Sequence, residues 1–137
     1  METPVRIAVL IAVHNRWEMT DKLLSVLKTA PTAIQLCLHI VDDGSSDSTA
    51  NELARLANIT YLRGNGDLFW ARSMKLAQDS VMDPIDYFLW INNDVDLAHD
   101  FFSRLLESIG EFPSGILVGQ TSDLACQQIT YLSLIDI

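Results

Sequence analysis

Tyr87-Phe88-Leu89-Trp90-Ile91-Asn92-Asn93-Asp94-Val95-Asp96 is an apolar, strand-like run that drives straight into a cluster of amides and acids. Strand side chains alternate between faces, so a strand extended through this run would let Asn92, Asp94 and Asp96 converge on one side. In open α/β sheets that position, the carboxyl end of a strand, is where ligands bind. Hard divalent cations such as Mg²⁺ or Mn²⁺ take oxygen ligands and leave places for water and substrate phosphates. A nucleoside diphosphate is the ligand this implies. A strand ending in an Asx-rich turn explains the same residues equally well, because Asn and Asp form local hydrogen bonds in turns.

Upstream, strand and helix patterns alternate. Val5–Val13 is a continuous aliphatic run, as expected of a strand covered on both faces, and it yields to a polar turn at His14-Asn15-Arg16. Met19, Leu23, Val26, Leu27 and Ala30 recur at helical spacing before Pro31. Gln35–Val41 reads as a second strand, followed by a loop over Asp42–Thr49 and a helix capped by Asp47 or Ser48, with Leu53, Leu56 and Ala57 as its buried stripe. Ile59–Arg63 is a third strand, Gly64–Asp67 a turn, and Leu68–Val81 a third helix packing through Ala71, Met74, Leu76 and Ala77. Asp83-Pro84 breaks the pattern before a fourth strand at Tyr87–Ile91, and Phe101–Ile109 reads as a fourth helix ended by Gly110. Such alternation predicts an α/β fold of three layers, a mainly parallel sheet with helices on both faces. A further strand is expected at Ile116–Gly119, and a last apolar run extends from Ile129 to Ile137. Domains usually end in polar, exposed termini, so this ending suggests a truncated single domain over residues 1–137.

Composition narrows the class. With 137 residues, 49% hydrophobic and 20% charged, the chain can bury a substantial core. Its formal net charge of −9 excludes the basic face of a nucleic-acid binder. A phosphate-bearing ligand must then be held by local devices: a cation, a helix N-terminus or a single Arg. Cys37 and Cys126 match neither a metal-ligand spacing nor a disulfide framework, which suits a reducing cytoplasm. Ile7–Val13 is too short to span a bilayer, and Met1-Glu2-Thr3-Pro4 lacks the features of a signal peptide. No Gly-x-Gly-x-x-Gly follows the first strand, which disfavours a dinucleotide oxidoreductase, and P-loop and nucleophile-elbow patterns are missing too. Among the histidines, His14 lies at the end of the first strand beside the expected crevice. His39 reads as a packed strand residue and His99 as a solvated loop residue. Trp70 and Trp90 could line a sugar pocket, although aromatics at these spacings are more often core.

Three segments in order resemble family 2 glycosyltransferases of the GT-A, nucleotide-diphospho-sugar transferase-like fold. Val9-Leu10-Ile11-Ala12-Val13-His14-Asn15-Arg16 is similar to the family's opening strand and turn, and Ile40-Val41-Asp42-Asp43-Gly44-Ser45-Ser46-Asp47-Ser48-Thr49 to its V-D-D-G-S-x-D-x-T signature. Gly64-Asn65-Gly66-Asp67-Leu68-Phe69-Trp70, followed by Leu89–Val95, resembles the branch labelled rhamnosyltransferase-like. The resemblance implies that His14, Asn15 and Arg16 line the nucleotide-sugar site and that Asp42, with Asp43, contacts base and ribose. It aligns Asn92-Asn93-Asp94 with the family's D-x-D motif, so that Asp94 holds Mg²⁺ or Mn²⁺, with Asp96 completing a shifted second reading. Arg72 lies where some members place a diphosphate-contacting Arg, although the position is often small in this branch.

The function so implied is metal-dependent transfer of a sugar from a UDP- or dTDP-sugar to a hydroxyl of a glycan or lipid-linked acceptor in polysaccharide biosynthesis. The setting would be the cytoplasm, with peripheral association at the inner face of the membrane as a second location. An inverting member needs a carboxylate base near the acceptor. The resemblance puts that base in a C-terminal acceptor portion, which a chain this short past Asp94 is expected to lack. Two rivals stand beside this reading. A sugar-phosphate nucleotidyltransferase shares the layout but needs a basic, Gly-rich segment after its first strand, where this chain has only Arg16. A non-catalytic, truncated nucleotide-binding module is the other.

Overall fold

A computed structural model describes residues 2–122 and the backbone of residues 129–131. The chain forms two compact units, Met1–Leu97 and Ala98–Ile137. In the first, strands and helices alternate as β1 (Val5–Val13), α1 (Trp17–Leu27), β2 (Ile34–Asp43), α2 (Thr49–Arg55), β3 (Ile59–Gly64), α3 (Phe69–Asp79) and β4 (Tyr87–Trp90). The strands form one sheet in the order β3-β2-β1-β4, and every pair is parallel. All four carboxyl ends therefore open onto one edge. The chain steps outward from β1 to β3 and then crosses back to β4. With right-handed crossovers, α1 and α2 cover one face and α3 the other.

β1 is the central strand, and Ile7, Ala8, Val9, Leu10 and Ile11 are all buried. Its register with β2 matches Leu10 with His39 and Ile11 with Ile40, so neighbouring strands present aligned faces. On the α3 side, Ala8, Leu10 and Val41 pack with Met74 and Ala77. His39 is buried on this side, and its Nδ1–H donates to Ser80 Oγ at 2.7 Å, as suits a satisfied packing residue. Burial lowers its pKa from the ordinary value against an opposing pull from Asp83.

Helical phase differs from expectation in three places. The stripe α1 buries is Thr20, Leu23, Leu24 and Leu27, whereas Met19 is 44% exposed. Thr20 takes the core-facing position because its hydroxyl accepts a hydrogen bond from Asn93 Nδ2 at 3.1 Å. α2 stops at Arg55, leaving Ala57 outside the helix and exposed. In α3 the buried residues are Ser73, Met74 and Ala77, and Ala71 faces outward. β4 ends at Trp90, one residue sooner than predicted, after Ile91 N–H donates to Leu10 O at 3.2 Å.

The second unit holds α4 (Phe101–Glu111) and the short strands β5 (Thr121–Ser122) and β6 (Ile129–Tyr131), which pair antiparallel. α4 runs through Gly110 rather than ending there. The strand expected at Ile116–Gly119 is reduced to a single bridge residue at Ile116. Gly115 precedes it at φ +123°, and Ile116 and Leu117 are exposed, so no apolar face holds this stretch extended. Of the final apolar run, Ile129–Tyr131 is strand, and the rest lies outside the described residues.

Candidate functional site

Parallel pairing brings three loops together at the carboxyl edge, and acids from the end of β2 tie them. Asp42 is fully buried; its Oδ1 accepts from Ser45 N–H at 2.9 Å and its Oδ2 from Tyr61 O–H at 3.1 Å. Arg63, directly opposite Asp42 in the β2–β3 register, donates to Ser45 O at 3.1 Å and lies 3.9 Å from Asp42 Oδ2. Asp43 faces the other side of the sheet. Its Oδ1 accepts from Gly66 N–H and its Oδ2 from Phe69 N–H, both at 2.8 Å. Burial by itself would raise the Asp43 pKa, but the N–H groups of Phe69, Gly66 and Leu68 outweigh it and hold the carboxyl below the ordinary range.

The β1–α1 turn is built around two residues at positive φ, Asn15 at 56° and Arg16 at 59°. Asn tolerates this region, whereas Arg stores strain there. What holds the turn is the β2–α2 loop: Asn15 N–H donates to Ser45 Oγ at 2.7 Å, and Asn15 Oδ1 accepts from the N–H groups of Ser46 at 2.8 Å and Asp47 at 3.2 Å. His14 donates from Nδ1 to Asp43 O at 2.7 Å, and its Nε2, at the exposed edge, accepts from Asn15 Nδ2 at 3.4 Å. The N-cap position of α2 is Ser48, which makes no side-chain capping bond; Asp47, one residue earlier, accepts from Thr49 N–H at 2.9 Å. Its closeness to Thr49, whose N–H it accepts, holds the Asp47 pKa below the ordinary value, with smaller contributions from the backbone of Arg16 and Trp17.

Two helix N-termini at this edge are thus already met by carboxylates of the chain, α2 by Asp47 and α3 by Asp43. A helix N-terminus attracts anions through its unpaired N–H groups. Here that capacity is used internally.

Beyond β4 the chain turns at Asn93 and Asp94, so strand alternation does not continue through Asn92–Asp96 as expected. The side chains diverge. Asn92 Oδ1 accepts from Trp70 Nε1–H at 2.8 Å, Asn93 is buried on Thr20, and Asp96 pairs with Lys22 at 2.5 Å. Asp94 is exposed, and among the described residues its carboxylate has no partner. Among the described residues no three His, Cys, Asp or Glu side chains are grouped to hold a metal. A single free carboxylate still suits Mg²⁺ or Mn²⁺, which bind through one or two carboxylates together with substrate phosphates. A cleft of about 220 Å³ lies along α1, lined by Lys22, Leu23, Val26, Val95, Asp96 and Leu97. It reaches the acidic segment only through Asp96, whose charge Lys22 already meets. Arg72 is exposed at the start of α3, its guanidinium 3.5 Å from Asp67 O, and the Arg16 side chain has no partner among the described residues.

Sequence reasoning missed Ser45, Tyr61 and Arg63, which fix the β2 loop. The parallel register could have revealed Arg63, since it sets that residue beside Asp42. It also leaned towards core for Trp70 and Trp90. Both are about half exposed, at 49% and 51%, and their rings meet edge-to-face with centroids 5.8 Å apart. β4 is the outermost strand of its sheet, so the face carrying Phe88 and Trp90 is less covered than that of β1.

His99 is exposed in the second unit, as read from sequence. No helix among the described residues is long and apolar enough to cross a membrane. No curated protein matches the chain. The family model described as Glycosyl transferase family 2 does match it, over residues 8–124, from within β1 through β2, β3 and β4 and every loop of the carboxyl edge, and the chain belongs to that family.

Proposed function

We propose that this glycosyltransferase takes a nucleoside-diphosphate sugar, with UDP or dTDP as the carrier, and binds it at the carboxyl edge between β1 and β4. The chain's direction of winding reverses between these two strands, and such switch points are where open α/β sheets hold ligands. His14, Asn15 and Arg16 border the crevice on one side and Asn92, Asn93 and Asp94 on the other. The observation that carries the reading is the use of both helix ends by Asp43 and Asp47. With those N–H groups taken, the charge of a donor diphosphate falls to a cation on Asp94 and to the guanidinium groups of Arg16 and Arg72.

A bound Mg²⁺ or Mn²⁺ would neutralise the departing diphosphate and act as Lewis acid. Asp94 is its first ligand, and Asp96 joins only by exchanging Lys22, a surface pair of small strength. His14 offers its Nε2 to a donor hydroxyl or base N–H in exchange for its long bond from Asn15 Nδ2. Asp42 and Asp43 shape the site through the loops they hold, and Asp43, whose oxygens each keep a further lone pair, can accept from base or ribose as well. In the transfer the acceptor hydroxyl bonds to the anomeric carbon as its bond to the diphosphate breaks, and the hydroxyl proton passes to a base. The Gly64–Trp70 and Leu89–Val95 segments favour the rhamnosyltransferase-like branch, and thus a glycan or lipid-linked acceptor in polysaccharide assembly.

Calorimetry with UDP and dTDP tests the donor site. Binding is expected to tighten with Mn²⁺ relative to chelator, and Asp94→Ala to weaken the Mn²⁺-dependent affinity by at least about tenfold. Equal affinity with metal, with chelator and in Asp94→Ala would remove the metal role from this residue.

A further inference from the structure

Trp70, Trp90 and Phe69 are among the exposed large apolar side chains of the first unit, with Met19, Met82 and Phe88. Phe69 is 74% exposed and sits at φ +56°, a backbone position that a bulky residue adopts only when its surroundings hold it there. The holding group is Asp43, which accepts the Phe69 N–H. That strain turns the aromatic side chain outward when ordinary helical geometry at the first turn would let it fold down. The next residue, Trp70, is fixed twice, by its edge-to-face contact with Trp90 and by its N–H bond to Asn92. Two indoles are therefore held half in solvent, with a polar rim supplied by Asn92, in the loop that carries the exposed carboxylate of Asp94. A purely structural aromatic pair would be expected to bury its faces.

A ligand that suits an exposed indole edged by amide and acid groups has one apolar face and a ring of hydroxyls. Pyranose sugars have that form: their axial C–H groups lie on one side and their hydroxyls project around the perimeter. We infer that Trp70 and Trp90, oriented by Asn92, form a stacking platform for a pyranose ring, with Phe69 extending its outer margin. The inference rests on the donor site proposed above, because the platform joins that site through Asn92. It goes further in assigning the class of group recognised and the residues that select it. The pyranose is either the donor's own sugar or a terminal residue of the acceptor glycan, and the two sources are separable.

Saturation-transfer NMR and calorimetry on the whole chain provide the test, with UDP and dTDP, a panel of UDP- and dTDP-hexoses, and free methyl hexosides as probes. Stacking predicts that the C–H protons of one pyranose face receive the strongest saturation. If the donor supplies the ring, nucleotide sugars bind more tightly than the bare nucleotide; if the acceptor does, the methyl hexosides bind without nucleotide. The Trp70→Leu/Trp90→Leu variant should lower the sugar-dependent affinity about tenfold while leaving affinity for UDP or dTDP unchanged. Trp70→Phe/Trp90→Phe, which keeps two rings, should retain most of it. Circular dichroism and thermal unfolding identify any variant that fails to fold, and the Phe pair then carries the comparison through its one-face saturation pattern. Sugar binding of equal strength in a folded Leu variant overturns the platform, as does a wild type in which neither hexosides nor the sugars of the nucleotide panel show binding beyond the bare nucleotide. Loss of all nucleotide binding with hexoside binding intact would instead refute the donor site and leave the platform standing.

Discussion

At the scale of single residues, Asp43 ties two loops of the carboxyl edge together through its carboxylate. Its two oxygens join the end of β2 to the loop that starts α3, and its carbonyl fixes the His14 ring. Because its folded pKa is lowered below 3.8, its stabilisation is fully present above that value. The contribution is lost as pH falls through the folded pKa. Asp43→Asn replaces one acceptor by a donor and sets it against Gly66 N–H or Phe69 N–H. About 1–3 kcal/mol of destabilisation is expected from the unmatched buried donor. Denaturant unfolding across pH 2–6 checks it: the variant should lose stability at neutral pH and show a flatter acid limb. An unchanged midpoint at pH 6 would mean that the loop does not depend on the acid. The pair Asp42-Asp43 stands out in the sequence, but its partners do not. An acid at a strand end can serve a ligand or the chain's own N–H groups equally well, and only the return of Gly64–Phe69 decides between them.

At the scale of elements, the clearest dependence is one loop resting on another. Gly44 has φ +74°, and a Cβ there would lie 2.9 Å from Gly66 N, so the β2–α2 loop and the β3–α3 loop touch backbone to backbone. Gly44→Ala combines a strained backbone with that clash and is expected to cost about 2–3 kcal/mol. A chemical-denaturation midpoint equal to wild type would show that the two loops are not in register. Strand positions were readable because β1 to β3 are long and apolar, and β1 begins and ends where its composition changes. Helical phase was less so. Thr20 looks polar in sequence, yet it enters the core because Asn93 arrives 73 residues later to satisfy its hydroxyl. The early end of β4 has the same origin, since the Asx-rich turn competed with the strand and prevailed.

At the scale of the whole molecule, alternation of strand and helix announced the α/β class, and the family resemblance covered the segments that build the edge. Strand order was not legible, because nothing in β4 alone says that it pairs with β1 rather than β3. That pairing joins Ile7 to Tyr87, 80 positions further on, whereas β1 and β2 meet after 29. Closing long loops costs chain entropy before any contact repays it. β4 is also short, outermost and half exposed, so it should be the first strand to detach and the last to dock. Amide hydrogen exchange is expected to show less protection at Tyr87–Trp90 than at Ile7–Ile11, with nucleotide and Mn²⁺ raising it; equal protection without ligand would contradict this. Asn92 and Asp94 arrive only with that strand. Were β4 to dock last, the proposed metal ligand Asp94 and the Trp70–Trp90 pair would form in one step, and any ligand that binds only the docked form would by mass action drive completion of the sheet.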